Sequence, residues 1–413
     1  MDLADAPLLF LGLLGHAAIW IGLVNRLHGL AFPRVVVRWL TLLRLIALAT
    51  LPLAYLANLY IQDLPWLRPT QWTRLAAGLQ AYGWGAAAMG LFVSARWGWR
   101  QLPRAGRELC RVQSSTSLSP AAELARHPVA NPIRRAISRL PGNQSLELEV
   151  VEKELVVPRL PPALDGLSIA HLTDLHYTGG ISREYFEVVA RITNDLNPDL
   201  IAVTGDLVDK VHCIDWLPAT LGRLRAPQGV YAILGNHDLR VKGELGRLRR
   251  VLTDLGIVDL GLTHRHIEIS GARVLLAGNE RPWIVPPADA PECPDRDEDE
   301  ACLRLLLSHS PDQLGWARQR GFDLMLAGHT HGGQIRLPGV GALLCPSLYG
   351  VKYDCGVFHE PPTVLHVSRG LSGVDPLRFF CPPELVRLVL RAPAARSRPT
   401  AQTTTEAEPA GVR

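Results

Sequence analysis

Five short apolar runs, each followed by a cluster of polar residues, mark the middle of the chain. Runs of this length that are bounded by glycine and polar residues are typical of buried strands in an α/β sheet. The side chains that follow such strands can converge on one crevice from distant sequence positions. The runs are 167–172, 200–203, 229–234, 303–307 and 322–327.

Three longer apolar stretches precede the predicted sheet and predict a transmembrane region over residues 1–100. Each stretch is long enough to cross the hydrocarbon core of a bilayer as a helix. Asp2 and Asp5 stand where a cleaved signal peptide would carry basic residues, so we expect the first stretch to remain in the protein. The predicted spans are 6–25, 39–61 and 75–95.

Arginine placement predicts how these spans are oriented. Arg26, Arg34 and Arg38 lie in the first connection, and a further basic stretch runs from Arg96 to Arg111 after the third span. The positive-inside rule therefore places the amino terminus outside and the α/β domain in the cytoplasm, as in a multi-pass protein of the bacterial inner membrane. Losing one span would invert this result.

The remaining segments are predicted from composition. Residues 101–160 form a juxtamembrane connector, rich in Ser, Pro and Arg from residue 113, that leads into edge strands. The α/β domain follows over residues 161–392, with a helix expected from residue 182 to residue 197. Residues 282–300 are a Pro-rich and then acidic insertion, interpreted as a solvated surface loop or a cap over the site. The tail at 393–413 is expected to be disordered.

Net charge limits the kinds of partner that are expected, and cysteine content indicates the compartment. The formal net charge is only +4, and the basic residues cluster beside the predicted membrane region, so no nucleic-acid partner is expected. The seven cysteines show no paired spacing, which agrees with a reducing compartment. The sequence thus indicates the lipid bilayer as a partner, and it leaves the oligomeric state open.

The polar clusters after the five runs carry residues that can hold two metal ions. Borderline divalent ions such as Mn, Fe, Zn and Co accept imidazole nitrogen and carboxylate oxygen together. Two such ions about 3.5–4 Å apart need one anionic bridge, and Asp206, alone at its strand end after Gly205, is the candidate for it. The candidate ligands are Asp174, His176, Asp206, Asn236, His309, His329 and His331.

Each motif, taken alone, also has a purely structural explanation. An isolated Asp-Leu-His carries little information, Gly-Asp is usually a turn, and His309 could be a hydrogen-bonded core histidine. Asp209 could support the metal site or be an ordinary turn carboxylate. Arg369 and Arg378 could bind a substrate anion or form structural salt bridges. The metal hypothesis therefore depends on all five clusters occurring in order.

This ordered set, D-x-H, G-D, G-N-H-D, a single His and G-H-T-H-G-G-Q, resembles the calcineurin-like metallophosphoesterases. The resemblance spans about residues 166–391 and is closest to the membrane-anchored bacterial branch with the GHTHGGQ ending. It implies an α/β fold in which a two-sheet β-sandwich is flanked by helices. It also implies a first metal on Asp174, His176, Asp206 and His331, and a second on Asp206, Asn236, His309 and His329.

The resemblance further implies that His237 is a catalytic histidine that binds no metal, with Asp238 or another carboxylate tuning it. The expected activity is hydrolysis of a phosphodiester or pyrophosphate bond. Because a soluble nucleotide needs no membrane anchor, a lipid-linked substrate such as UDP-2,3-diacylglucosamine is expected, with Arg369 a candidate for binding it. The alternatives are a tethered phosphodiesterase or phosphatase with soluble substrates, and an inactive membrane scaffold or sensor.

Overall fold

Short strands, those at the sheet centres buried at every position, build most of the domain that follows the N-terminal helices. The computed structural model describes residues 5–61, 77–101, 107–261, 263–286, 293–296 and 301–393. Within these residues the strands are β1 (Cys110–Leu118), β2 (Leu148–Val156), β3 (Ser168–Leu172), β4 (Leu200–Thr204), β5 (Val230–Ile233), β6 (Val258–Asp259), β7 (His264–Ile269), β8 (Ala272–Asn279), β9 (Cys302–Ser308), β10 (Leu324–Ala327), β11 (Arg336–Leu337), β12 (Gly341–Ala342), β13 (Gly356–Glu360), β14 (Thr363–Val367) and β15 (Glu384–Arg391).

Helices lie before and between these strands. The α-helices of the described residues are α1 (Asp5–His28), α2 (Arg34–Ile61), α3 (Ala77–Gln101), α4 (Pro132–Ser138), α5 (Arg183–Asp195), α6 (Leu245–Asp254) and α7 (Leu314–Gln319). Ser182 occupies the N-cap position of α5, as the sequence predicts, although its side chain makes no capping hydrogen bond.

The strands form two mixed sheets and one short hairpin. One sheet has the order β1-β2-β15-β3-β4-β5-β6, and the other has the order β13-β14-β10-β9-β8-β7. Their centres are parallel, because β3 to β6 run in one direction and β8, β9, β10 and β14 also share one direction. The short hairpin pairs β11 with β12. Parallel neighbours end at the same edge of a sheet, which brings the segments after β3, β4, β5, β9 and β10 together.

Alternation along β9 shows how the layers pack. Leu303, Leu305 and Leu307 lie in the apolar layer between the two sheets. Leu306 points the other way and packs with Leu314 of α7 on the outer face. Because successive side chains of a strand point to opposite faces, a strand buried on both faces is a continuous apolar run. The predicted α/β sandwich flanked by helices is confirmed.

The Ser-rich connector differs from its prediction. Residues 110–118 form β1, which pairs antiparallel with β2 from Cys110 opposite Leu155 to Leu118 opposite Leu148. Nearly all side chains of β1 are exposed, so the strand lacks the apolar alternation by which a half-buried strand is recognised. The tail from residue 394, residues 287–292 and 297–300 of the insertion, and residues 75–76 of the third predicted span lie outside the described residues.

The N-terminal helices coincide with the three predicted spans but are arranged differently. Gly15 lies against the backbone of Ala86, and Gly90 against that of Leu11, so α1 and α3 run antiparallel at a distance that side chains would prevent. Hydrogen bonds from Arg44 to the Leu23 carbonyl (3.2 Å) and between His28 and Thr41 (3.1 Å) show that α2 is also antiparallel to α1.

Three successive spans would instead place α1 and α3 parallel. By length and composition, one helix of the described residues could cross a membrane, Phe10–His28 within α1. The structure therefore supports fewer spans than the sequence predicts.

A buried polar chain crosses the apolar layer behind the site. Lys153 Nζ lies 2.8 Å from Glu384 Oε1 and 3.3 Å from Nε2 of His366. Because an ammonium group only donates, Nε2 of His366 accepts and its Nδ1 donates to Nδ1 of His171 (3.0 Å). Nε2 of His171 then donates to the hydroxyl of Thr204 (2.9 Å). One lysine thus fixes the tautomers of two buried histidines.

Replacing Lys153 with Met should destabilise the domain by about 3 kcal/mol, because it leaves the buried carboxylate of Glu384 short of a partner. Thermal unfolding of the purified variant should show a lowered melting temperature. Arg391→Met is the matched control, since Arg391 pairs with Glu154 at the surface. We expect a much smaller shift for this control. Equal shifts for the two variants would contradict the assigned role of Lys153.

Candidate metal centre

The backbone at the strand ends is held in an uncommon conformation. Five predicted metal ligands have positive φ angles: Asp174 (54°), His176 (47°), Asp206 (53°), His329 (69°) and His331 (51°). A non-glycine residue in this region costs on the order of 1–3 kcal/mol, and such residues concentrate at functional sites. Asp and His tolerate the left-handed region better than most residues. The conformation turns each chain sharply, so that its side chain points back towards the sheet edge.

Glycines make room for these side chains. Gly205 has φ +90°, and a Cβ atom at this position would lie 2.8 Å from Nδ1 of His309. A Cβ at Gly235 would collide with the Asp206 carboxylate, and one at Gly328 with the Asp174 carboxylate. The glycines of the G-D, G-N-H-D and G-H-T-H motifs are therefore required by the close approach of neighbouring strand ends.

The first group of side chains combines the segments after β3 and β10. Nε2 of His176 lies 3.1 Å from Nε2 of His331 and 3.8 Å from Oδ1 of Asp174. Nε2 of His331 lies 3.4 Å from the same Asp174 oxygen. The side chains of Asp174 and His176 are fully buried, which restricts water at this point.

The second group combines the segments after β4, β5, β9 and β10. Nε2 of His309 lies 3.1 Å from Oδ1 of Asn236, 3.3 Å from Oδ2 of Asp206 and 3.2 Å from Nδ1 of His329. Nδ1 of His309 is 2.8 Å from the Thr204 carbonyl oxygen, to which it donates. In the neutral ring, Nε2 of His309 therefore carries a lone pair that faces other acceptors.

Asp206 lies between the two groups. Its Oδ2 is 3.5 Å from Nε2 of His176 in the first group and 3.3 Å from Nε2 of His309 in the second. Its Oδ1 accepts a hydrogen bond from the backbone N–H of His237 (2.7 Å). Burial opposes its ionisation, but the adjacent His309 and His237 hold the pKa of Asp206 well below the usual carboxyl range. The group is thus an anion shared by both sets of nitrogens.

The donor set fits divalent cations. Nδ1 of His176 donates to Asp209, so the lone pair of its Nε2 in the neutral ring faces Nε2 of His331 at 3.1 Å. Nε2 of His329 is buried without a hydrogen-bond partner among the described residues. Two imidazole nitrogens this close need a cation or a proton between them. Imidazole and carboxylate together suit Mn, Fe, Zn and Co.

Comparison with known proteins identifies the family. The family model described as calcineurin-like phosphoesterase matches residues 167–333, the region that supplies every residue of the two groups. Phosphodiesterase YaeI of Escherichia coli is 32% identical over 232 residues, which cover 54% of this chain and 81% of that protein. The chain belongs to the calcineurin-like phosphoesterase family. It is a metal-dependent phosphoester hydrolase.

Two further relatives extend the comparison. A zebrafish (Danio rerio) protein named transmembrane protein with metallophosphoesterase domain is 28% identical over 399 residues, 92% of this chain and 87% of its own length. UDP-2,3-diacylglucosamine pyrophosphatase LpxG of Chlamydia muridarum is 26% identical over 288 residues, 58% of this chain and 88% of its own length. The likeness to the zebrafish protein includes the N-terminal helices, whereas the likeness to LpxG covers little more than half of the chain.

Asp209 contacts both His176, a predicted metal ligand, and His237, the predicted catalytic histidine. Its Oδ2 lies 2.9 Å from Nδ1 of His176, and its Oδ1 lies 2.7 Å from Nδ1 of His237 and also accepts from Arg240. Asp238 was the first candidate for tuning His237, but its carboxylate accepts backbone N–H groups within 3.0 Å from residues 207, 208 and 235. Burial and the charge of Asp206 raise the pKa of Asp238 to about 7. The carboxylate that contacts the His237 ring is therefore Asp209.

Arg369 forms a structural salt bridge, which was the alternative to a role in substrate binding. Its guanidinium lies 2.5 Å from a Glu149 oxygen and 3.3 Å from a Glu384 oxygen. Burial opposes its charge, but Glu384 and Glu149 raise the pKa of Arg369 above its usual value. Arg378 comes closer to the site, since its Nη2 lies 3.3 Å from Nδ1 of His331 and also donates to the Ser372 carbonyl.

Trp283 is a site residue that sequence reasoning missed. Its ring centroid lies 4.7 Å from that of His329 and 5.7 Å from that of His309. It belongs to the 282–300 insertion, for which composition predicts a loop and gives no partner. One end of this loop therefore reaches the site.

Replacing Asp209 with Asn should lower metal affinity or turnover about 10–100-fold, because the amide cannot orient both His176 and His237 as the carboxylate does. Metal content and turnover of bis-p-nitrophenyl phosphate check this. The matched control is Asp215→Asn, whose carboxylate is exposed and pairs with Arg247. Normal metal content and normal turnover in Asp209→Asn would show that the carboxylate has no positioning role.

Proposed function

We propose that this phosphoesterase binds two divalent cations and hydrolyses a phosphodiester or pyrophosphate bond in a lipid-linked substrate such as UDP-2,3-diacylglucosamine. The observation that carries the two-cation assignment is Oδ2 of Asp206, within 3.5 Å of imidazole nitrogens in both groups. The first cation would be held by Asp174, His176, Asp206 and His331. The second would be held by Asp206, Asn236, His309 and His329.

The residues around these ligands have separate roles. When bound, the cations would lower the pKa of the attacking water and neutralise charge on the phosphoryl oxygens. Asn236 is a neutral ligand and keeps the site less negative, which matters because the substrate is itself an anion. Trp283 covers the His329 side of the site and reduces access of water there.

His237 is proposed to transfer a proton to the leaving oxygen. Its Nδ1 donates to Asp209, which leaves Nε2 as the atom that exchanges a proton. Arg240 Nη2 lies 3.4 Å from this Nε2 and is placed to stabilise negative charge that develops beside it. Burial lowers the pKa of His237, with Asp206 and Asp209 acting in the opposite direction.

His237→Ala should retain both metal ions and lose turnover by about 10²–10⁴-fold, the usual contribution of a proton-transferring side chain. Metal content by mass spectrometry and the rate with bis-p-nitrophenyl phosphate measure the two effects separately. Full metal occupancy with normal turnover would remove His237 from the mechanism. Loss of metal in this variant would show that His237 contributes to metal binding instead.

A membrane location is proposed from the N-terminal helices. The apolar segment Phe10–His28 is long enough to cross a bilayer, and α2 exposes Val35 (67%) and Trp39 (60%). The zebrafish relative named as a transmembrane protein aligns over 92% of this chain. By the positive-inside rule, the basic residues that follow α1 favour a cytoplasmic catalytic domain, and one span or three give the same orientation.

The lipid-linked substrate is proposed from this location and from the activity for which the LpxG relative is named. The Mn-loaded full chain should hydrolyse UDP-2,3-diacylglucosamine with a higher kcat/KM than it shows for bis-p-nitrophenyl phosphate. Rates measured in mixed micelles check this. A preference for the soluble ester would favour the tethered phosphodiesterase, and binding of phosphate esters without turnover of any ester would favour a sensor.

A further inference from the structure

The segment that leaves the metal loop exposes a series of large apolar side chains. It starts four residues after His331 and includes the β11–β12 hairpin and the residues up to 349. In a soluble domain such side chains are normally scattered, and a contiguous exposed set marks an interaction surface. The residues, which we call the apolar rim, are Leu337, Val340, Leu343, Leu344, Leu348 and Tyr349, each 38–53% exposed.

The apolar rim is attached to the metal loop. A Cβ at Gly333 would lie 2.9 Å from the carbonyl oxygen of Leu344, and Gly333 is two residues from the proposed ligand His331. Gly333 has φ +83°, so the chain turns there and passes directly into the hairpin. Whatever contacts the apolar rim therefore lies beside the opening of the catalytic site.

The apolar rim is also attached to the N-terminal helices. Asn25 of α1 donates to the Leu343 carbonyl (3.0 Å) and accepts from the N–H of Cys345 (3.1 Å). Trp97 of α3 donates to the Gly339 carbonyl at the tip of the hairpin (3.1 Å). The surface of the proposed membrane helices thus continues into the apolar rim.

Charge beside the apolar rim favours a lipid surface over a second protein. Arg26 is exposed in the last turn of α1, next to Asn25, which bonds to the apolar rim. Guanidinium groups beside apolar side chains match the phosphates and acyl chains of an anionic leaflet. Aliphatic side chains supply the apolar area that a lipid interior accepts.

We propose that the apolar rim inserts into the acyl region of the lipid leaflet and presents the metal centre to phosphates of lipids that remain in the membrane. This deepens the proposed function and rests on its membrane location. Hydrogen bonds from Asn25 and Trp97 hold the rim segment against the N-terminal helices. Insertion of the rim adds a second membrane contact beside the active site, which turns that site towards the bilayer.

Photocrosslinking tests the insertion directly. The full chain is reconstituted into phosphatidylcholine–phosphatidylglycerol vesicles that contain a phospholipid with a diazirine in its acyl tail, and adducts are mapped by tryptic mass spectrometry. Cleavage after Arg336 and Lys352 releases the apolar rim as one peptide, 337–352. The control peptide is 211–223, which carries the exposed Val211. We expect adducts in the first peptide and none in the second.

The outcomes separate the two proposals. Adducts in α1 but none in peptide 337–352 would overturn the insertion and leave the membrane location standing. Vesicles that float without the protein would overturn the membrane location, and the insertion with it. Crosslinks from the apolar rim to a second copy of the chain, in place of lipid, would assign the surface to self-association and also overturn the insertion.

A variant measures the consequence for activity. Val340→Ser with Leu344→Ser should raise KM for a lipid-linked pyrophosphate in vesicles by about tenfold or more, because less apolar area enters the leaflet. Turnover of bis-p-nitrophenyl phosphate in solution should stay unchanged, as it should in the control Val211→Ser. An equal loss with the soluble ester would show that the substitutions disturb the metal loop, and would contradict a role confined to lipid.

Discussion

The carboxylate of Asp206 is the element on which the site depends, because it is the anion that two groups of imidazole nitrogens share. The Nδ1 hydrogen bonds of His176 and His309 direct the Nε2 lone pairs of the neutral rings inwards, where they face His331 and Asn236. Such an arrangement is favourable only when positive charge occupies the space between the groups. The proposed pair of cations supplies that charge, and in a phosphoesterase it also binds the substrate's phosphate.

The sheets explain why these side chains meet. Parallel strands end at one edge, and the left-handed residues there turn the side chains back towards it. Behind this edge the apolar layer is crossed by Lys153, His366 and His171, which end at Thr204, whose carbonyl oxygen also holds His309. The orientation of the ligands is thus set by packing and hydrogen bonds that extend through the sandwich to its far side.

The sequence predicted what is encoded locally. Apolar runs located β3, β4, β5, β9 and β10, and the polar residues after them identified the two groups. The roles of Asp209 and Asp238 could not be told apart, since both follow strand ends and only the folded backbone decides which carboxylate accepts N–H groups. β1 lacks apolar alternation, and the contact of Trp283 with the site depends on a loop path that composition does not encode.

Anomalous diffraction from crystals of the Mn-loaded protein would locate the two cations directly. We expect two peaks about 3.5–4 Å apart, with one oxygen of Asp206 close to each or a single oxygen between them. The facing nitrogens of His176 and His331 should coordinate the ion at one peak, and His309 should coordinate the ion at the other. A single peak, or two peaks without Asp206 between them, would contradict the shared-carboxylate site.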